Sequence, residues 1–204
     1  MYPHSFPTRR SSDLPPTIRA LLQARLDLLN DNERTVIERG AVEGKVFHRG
    51  SVAALTPPAA RDGVPQQLVA LVRKELIRPD HAQIAGDDAY RFRHLLIRDT
   101  AYEALPKEVR AELHESFADW VESVPALLEQ NEIIAYHLER AVRYLRELGS
   151  DDSRVVRLSI QAGSWLSAAG VAAYERGRCV CGLQFARSSH RPAPSRRPAT
   201  ACDP

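Results

Sequence analysis

The chain has 204 residues, 44% hydrophobic and 26% charged, close to globular averages, so it can bury the core of one ordinary domain or two small ones. No apolar run approaches membrane-spanning length and no signal-peptide pattern is visible, so the expectation is a cytoplasmic chain without membrane contact. The net charge of +2 is unevenly spread: residues 1–14 carry +1, residues 178–204 carry +4, and the stretch between them carries −3. A mildly acidic body argues against a nucleic-acid footprint spread over the fold.

The two ends differ from the body. "HSFPTRRSSDL", His4 to Leu14, has no helical or strand period and looks like a translated sequencing-library adapter, so residues 1–14 are set aside as a non-native leader. Residues 178–204 are dominated by Pro, Arg, Ser and Cys and read as a frameshifted or disordered tail. Cys179, Cys181 and Cys202 all lie there, and C-x-C with His190 matches no zinc-finger or ribbon spacing, so no metal site is expected.

The body opens with "PPTIRALLQARLDLLN", where Pro16 suits a first helical turn and Ile18, Leu21, Leu22, Leu26 and Leu29 form one apolar face. "DNERTVIERGAV" predicts a second helix, with Asn30 and Glu33 spaced as a capping box and Val36, Ile37 and Ala41 pointing inward. "GKVFHRGSVAALTPP" predicts a turn, a short extended piece and a short helix that stops before Pro57 and Pro58. "VPQQLVALVRKELI" predicts a third strong helix, with Leu68, Leu71, Val72 and Leu76 inward. "IRPD" and "AYRFR" then read as a β-hairpin around Gly86 and Asp87. Helices followed by a small hairpin are the winged-helix order.

Beyond the hairpin, "HLLIRDTAYEAL" predicts a helix ended by Pro106. "PKEVRAELHESFADWVESV" follows, with Val109, Leu113, Phe117, Trp120, Val121 and Val124 inward. "NEIIAYHLERAVRYLRELG" places Ile134, Leu138, Ala141, Leu145 and Leu148 on one stripe and Gly149 at its stop. In the last helix Ala162, Gly163, Ala168, Ala169 and Ala173 would allow the close approach of antiparallel helical repeats. The predicted fold class is therefore mainly α. A winged-helix domain with a small β-hairpin covers residues 15–105, and antiparallel helices of tetratricopeptide (TPR) type cover 106–177.

No P-loop, nucleophile elbow, H-E-x-x-H or C-x-x-C occurs, so the chain is expected not to be an enzyme by itself. Its histidines read differently by position. His48 follows an aromatic in a loop and reads as a surface residue; His114 suits an interface hydrogen bond; His137, beside Leu138, reads as a satisfied and partly buried side chain. His94 lies where a strand meets a helix N-terminus, a place that favours anions. Contact with duplex DNA is disfavoured, because the helix before the hairpin offers only Arg73 and Lys74 near its end and the hairpin mixes Arg91 and Arg93 with Asp80, Asp87 and Asp88.

"YRFRHLLIRDTAYEALPKEVRAELHESFADWVE", supported by "PPTIRALLQARLDLL", "LVRKELIRP" and "EIIAYHLERA", resembles the post-ATPase arm of bacterial STAND-type signalling ATPases of the AAA+ superfamily. These occur in class III adenylate/guanylate cyclase-domain proteins and LuxR-type transcriptional regulators. The resemblance covers residues 15–177. It implies an upstream P-loop ATPase module in cis, downstream helical repeats, a protein effector, and ATP or ADP held by the parent protein and not by this chain. "RHLLIRD" is similar to the "MHDLLRD" stretch of related switch ATPases, whose histidine contacts the β-phosphate of bound ADP. The match places His94 on that histidine and Arg98 and Asp99 on the later pair, whose role is to hold the helix; Leu95 stands where the family has Asp. The expected role is a non-catalytic regulatory arm that couples nucleotide state to a repeat sensor and an effector. Alternatives from other classes are a stand-alone winged-helix DNA-binding regulator and a protein-interaction scaffold.

Overall fold

The computed structural model describes residues 16–188, apart from Gln83, Leu128, Glu129 and Asp151, with side chains described from residue 18 to residue 175. The expectations for residues 1–14 and 189–204 fall outside the described residues. The fold is mainly α, with eight α-helices and a small three-stranded antiparallel sheet among the described residues. In chain order these are α1 (Pro16–Asp27), α2 (Asp31–Glu43), β1 (Val46–His48), α3 (Arg49–Leu55), α4 (Val64–Arg73), β2 (Ile77–Asp80), β3 (Ala89–Phe92), α5 (Leu95–Ala104), α6 (Lys107–Ser123), α7 (Asn131–Glu147) and α8 (Ser153–Ser188). A 3₁₀ segment, Pro58–Gly63, joins α3 to α4.

Helix α2 starts on the predicted capping box. The Asn30 side chain accepts from the Glu33 N–H (2.9 Å) and the Glu33 carboxylate accepts from the Asn30 N–H (3.0 Å). Burial opposes the charge on Glu33, but Lys74, 2.6 Å away, and the Asn30 amide outweigh it and hold this carboxyl below its ordinary range. Val36, Ile37 and Ala41 are buried as expected. Gly40 lies against the Phe47 ring, and a Cβ there would sit 2.9 Å from it, so α2 and β1 can approach this closely only with glycine at that position.

The sheet is one strand larger than the predicted hairpin. Strand β3 is central and pairs with β2 (Ile77 opposite Phe92) and with β1 (Phe47 opposite Tyr90). Three residues of β1 are too few to show a period, and their pairing is non-local, so only the folded chain reveals it as sheet.

Two apolar clusters fill the interior. The first gathers Leu26, Leu29, Val36, Ile37, Phe47, Val52, Leu68, Leu71, Ile77, Phe92 and Ile97 from α1 to α5 and the sheet. The second gathers Leu113, Phe117, Val121, Ile134, Leu138, Leu145, Val155 and Leu158 from α6, α7 and α8, with Val42 and Leu55 reaching in from α2 and α3. Each large side chain fully buried there contributes about 1.5–3 kcal/mol of burial free energy. Tyr102 on α5 packs against both clusters.

Several expected faces are corrected. Ile18 and Leu21 are exposed, Leu22 packs partly against the core, and only Leu26 and Leu29, at and just beyond the end of α1, are buried. Leu148 is partly exposed at the C-cap of α7. On α8 the buried contacts come from Val155, Leu158, Ala162 and Ala169, whereas Gly163 and Ala173 face outward. The α8 backbone runs on to Ser188.

Helices α4 and α7 end in the same way. Leu76 N–H bonds the Leu71 carbonyl and Glu75 N–H the Val72 carbonyl after α4; Ser150 bonds Leu145 and Gly149 bonds Arg146 after α7. Both are Schellman closures, with the left-handed position held by Gly149 (φ 78°) in one and by Glu75 (φ 57°) in the other. A side chain in that region costs about 1 kcal/mol. Glu75→Gly is therefore expected to stabilise the chain by about 1 kcal/mol, read as a higher urea midpoint at unchanged m-value.

Candidate functional site

Strand β3 delivers His94 to the start of α5. His94 is the N-cap, with extended backbone (φ −139°, ψ 139°), an exposed side chain, and Nδ1 accepting the Leu96 N–H at 3.2 Å. Its carbonyl accepts the Ile97 N–H at 3.0 Å. Two of the amides that open α5 are thus already satisfied within the chain. The cap also decides the tautomer: Nδ1 accepts, so the neutral ring carries its proton on Nε2. An exposed N–H donor is thereby held at the positive end of a helix, the chemistry that suits a phosphate or carboxylate oxygen.

The residues beside His94 hold α5 in place. Arg98 Nε donates to the Ala41 carbonyl of α2 at 2.9 Å, and its Nη1 meets Asp99 at 3.0 Å. The Arg98 guanidinium lies 5.0 Å from the Tyr102 ring centroid, a cation–π contact that continues down the same face. Leu95 is the first helical residue and brings no polar group to the site.

Four cations near the hairpin are engaged by acids. Lys74 meets Glu33 at 2.6 Å, Arg91 meets Asp80 at 2.5 Å, Arg93 meets Glu75 at 3.5 Å, and Arg49 meets Asp88 at 3.3 Å. A phosphate backbone would have to displace these acids. Asp87 also accepts the Gly50 N–H at 2.9 Å, which ties the turn between β2 and β3 to the start of α3.

His48 corrects its sequence reading: it is buried. Its Nδ1 lies 2.6 Å from Glu43, whose other carboxylate oxygen accepts the His48 N–H at 2.9 Å and the Ser51 hydroxyl. Burial opposes the charge on His48, but the Glu43 carboxylate and, further off, Asp87 outweigh it and raise its pKa above the ordinary value. The loop expected from sequence is a strand that pairs with β3, and that pairing turns the ring inward. A histidine whose folded pKa is raised contributes its full stability below the unfolded value and loses it as pH rises through the folded one. His48→Gln is therefore expected to cost more stability at pH 6 than at pH 8, measured by urea unfolding at each pH.

A second polar group lies at the junction of α5, α6 and α7. The Tyr102 hydroxyl is 2.7 Å from His114 Nε2 and 2.9 Å from the Tyr144 hydroxyl, and His114 Nδ1 is 2.8 Å from His137 Nδ1. Both histidines are almost fully buried. His114 thus makes the hydrogen bonds expected of it, and His137 is more deeply buried than expected. Burial first, then His137 and the guanidiniums of Arg140, Arg98 and Arg110, hold the His114 pKa well below its ordinary value. Spacing along one helix could suggest each residue, but their meeting across three helices has no local signal. Tyr102→Phe strips one hydroxyl from this chain and leaves two buried partners short of a bond. It is expected to cost about 1–3 kcal/mol, more than Tyr144→Phe at the end of the chain, read from thermal or urea unfolding.

Among the described residues no group of three or more His, Cys, Asp or Glu is placed to hold a metal ion, and no helix is long and apolar enough to cross a membrane. Comparisons with protein-family models, curated proteins and solved structures found no match.

Proposed function

We propose that the chain is the non-catalytic regulatory arm of an ATP/ADP-switched signalling ATPase of STAND type. In this reading α2, α3, α4 and the β2–β3 hairpin form a winged helix over residues 15–105, and α6, α7 and α8 begin an array of TPR-like helices. The P-loop module would lie upstream, and further repeats and an effector, such as a cyclase or a DNA-binding module, would lie downstream. ATP or ADP would bind to the parent protein, with His94 as a phosphate sensor and with no catalytic residue contributed by this chain.

The observation that carries the reading is the His94 cap. A histidine at the start of α5, exposed and held with Nε2–H as its free donor, is arranged to meet a phosphate presented by a neighbouring module. A second support comes from α8. Besides its buried seam, it bears an outward stripe of Val156, Ile160, Val171 and Tyr174, all more than half exposed. Those positions recur at helical spacing, and a further antiparallel helix would cover them. Rigid-body movement of the winged helix would then pass the nucleotide state to the repeats. The stand-alone DNA-binding alternative is disfavoured by the acids that already engage Lys74, Arg91, Arg93 and Arg49.

The test uses the complete parent protein. His94→Ala is expected to speed ADP release at least severalfold while leaving ATP binding at the P-loop intact. Unchanged ADP retention in a folded variant would rule out the sensor role. A locus with no ATPase reading frame joined upstream would rule out the whole assignment.

A further inference from the structure

We propose that His114 is an acid-released latch: neutral, it locks α6 and α7 onto α5, and on taking up a proton it frees the α6–α8 unit while the α1–α5 unit stays folded. The proposal is independent of the nucleotide-switch reading, since it rests on the three-helix junction alone.

The geometry comes first. His114 uses both ring nitrogens, Nε2 toward the Tyr102 hydroxyl of α5 at 2.7 Å and Nδ1 toward His137 of α7 at 2.8 Å. It thereby bridges the helix that closes the first unit and the two helices that open the second. The Tyr144 hydroxyl extends the chain by one bond at 2.9 Å. In the neutral ring one nitrogen donates and the other accepts, and the Tyr102 and Tyr144 hydroxyls can turn to match either arrangement.

Protonation need not break these bonds. A charged His114 donates from both nitrogens, Nδ1 to His137 and Nε2 to the Tyr102 oxygen, and Tyr102 then donates to Tyr144. What it cannot find is a counter-charge. The charged groups that weigh most on it are the guanidiniums of Arg140, Arg98 and Arg110. From α5 come Arg98, whose guanidinium is 5.0 Å from the Tyr102 ring centroid, and Tyr102 itself. From α6 comes Arg110, 4.9 Å from that centroid. From α7 come Arg140, Tyr136, Tyr144 and His137. From α2 and α8 the apolar Val42, Val155 and Leu158 enter the surrounding cluster. The neighbouring acids are engaged elsewhere: Asp99 with Arg98 at 3.0 Å, and Glu115 with Arg154 and Arg157 of α8 at 2.7 and 2.9 Å. A buried positive charge amid three guanidiniums is costly, and an opened junction lets water relieve it.

The sign follows from linkage. The His114 pKa is depressed in the folded state, so its contribution is present above the unfolded value of about 6.5 and is lost as pH falls below it. His48, in the first unit, has the opposite sign because Glu43 faces it, so acid strengthens that unit where it weakens the other. Carboxylates begin to protonate about two pH units lower, which leaves a window in which histidines dominate.

Both tryptophans of the chain report on the second unit: Trp120 on α6 and Trp165 on α8 each pack against its apolar cluster. The experiment is urea unfolding of the full chain at pH 7.5 and pH 5.5, with tryptophan emission for α6–α8 and amide hydrogen exchange for α2 and α4. The expected result is an opening constant for α6–α8 that rises by up to tenfold per pH unit below about 6.5, with α2 and α4 still protected. His114→Gln should flatten this dependence. Should that variant fail to fold, ¹⁵N imidazole NMR of the unaltered chain decides. The latch requires His114 to stay neutral while α6–α8 remains closed. A His114 that titrates near 6.5 in the closed state, equal resistance to urea at both pH values, or simultaneous loss of both units would each overturn it.

Discussion

Helix α5 is held from four sides, and through Tyr102 it joins the two apolar clusters, which also meet where Val42 and Leu55 reach across from α2 and α3. His94 caps its start, the Leu105–Pro106 step ends it, Arg98 bonds it to the α2 backbone, and Tyr102 hands a hydroxyl to the helices that follow. Leu105 is extended (φ −70°, ψ 134°), as a residue before proline must be, so the chain turns there and α6 sets off in a new direction. The ring of Tyr102 serves both clusters as apolar surface, while its hydroxyl begins the polar chain between them.

Buried polar groups give the two units different characters. In the first, the His48 ring faces a carboxylate; in the second, His114 faces hydroxyls, another histidine and guanidiniums. The same residue type at similar burial therefore responds to protons in opposite senses. His114 engages both ring nitrogens, whereas His48 bonds through Nδ1 and leaves Nε2 buried without a partner. The sign of the nearest charges makes the difference, because in a dry interior a full charge costs far more than a reoriented hydroxyl.

Much of the architecture could be read before folding. The capping box at Asn30, the stop at Gly149, the boundary at Pro106 and the hairpin at Gly86 are local signals, each set by a few neighbouring residues. His94 was legible as a strand-to-helix join for the same reason. His48 was not. Its neighbours resemble a loop, and its inward turn depends on β1 pairing with β3 more than forty residues later. The first turns of α1 erred the other way, since an apolar stripe says which face would be buried and not whether anything arrives to bury it.

By itself, the sequence determined the order of the helices, the cap at Asn30, the stops at Pro106 and Gly149, the β2–β3 turn, and the identity of the residue that caps α5. Those features rest on backbone preferences and side-chain reach within a turn or two. Tertiary structure alone decided the third strand, the burial of His48 and the joining of Tyr102, His114, His137 and Tyr144. Each of these depends on contacts between segments far apart in the chain. No local propensity encodes such contacts; the packing of apolar faces, which brings the segments together, also decides which charges and hydroxyls a buried ring will meet.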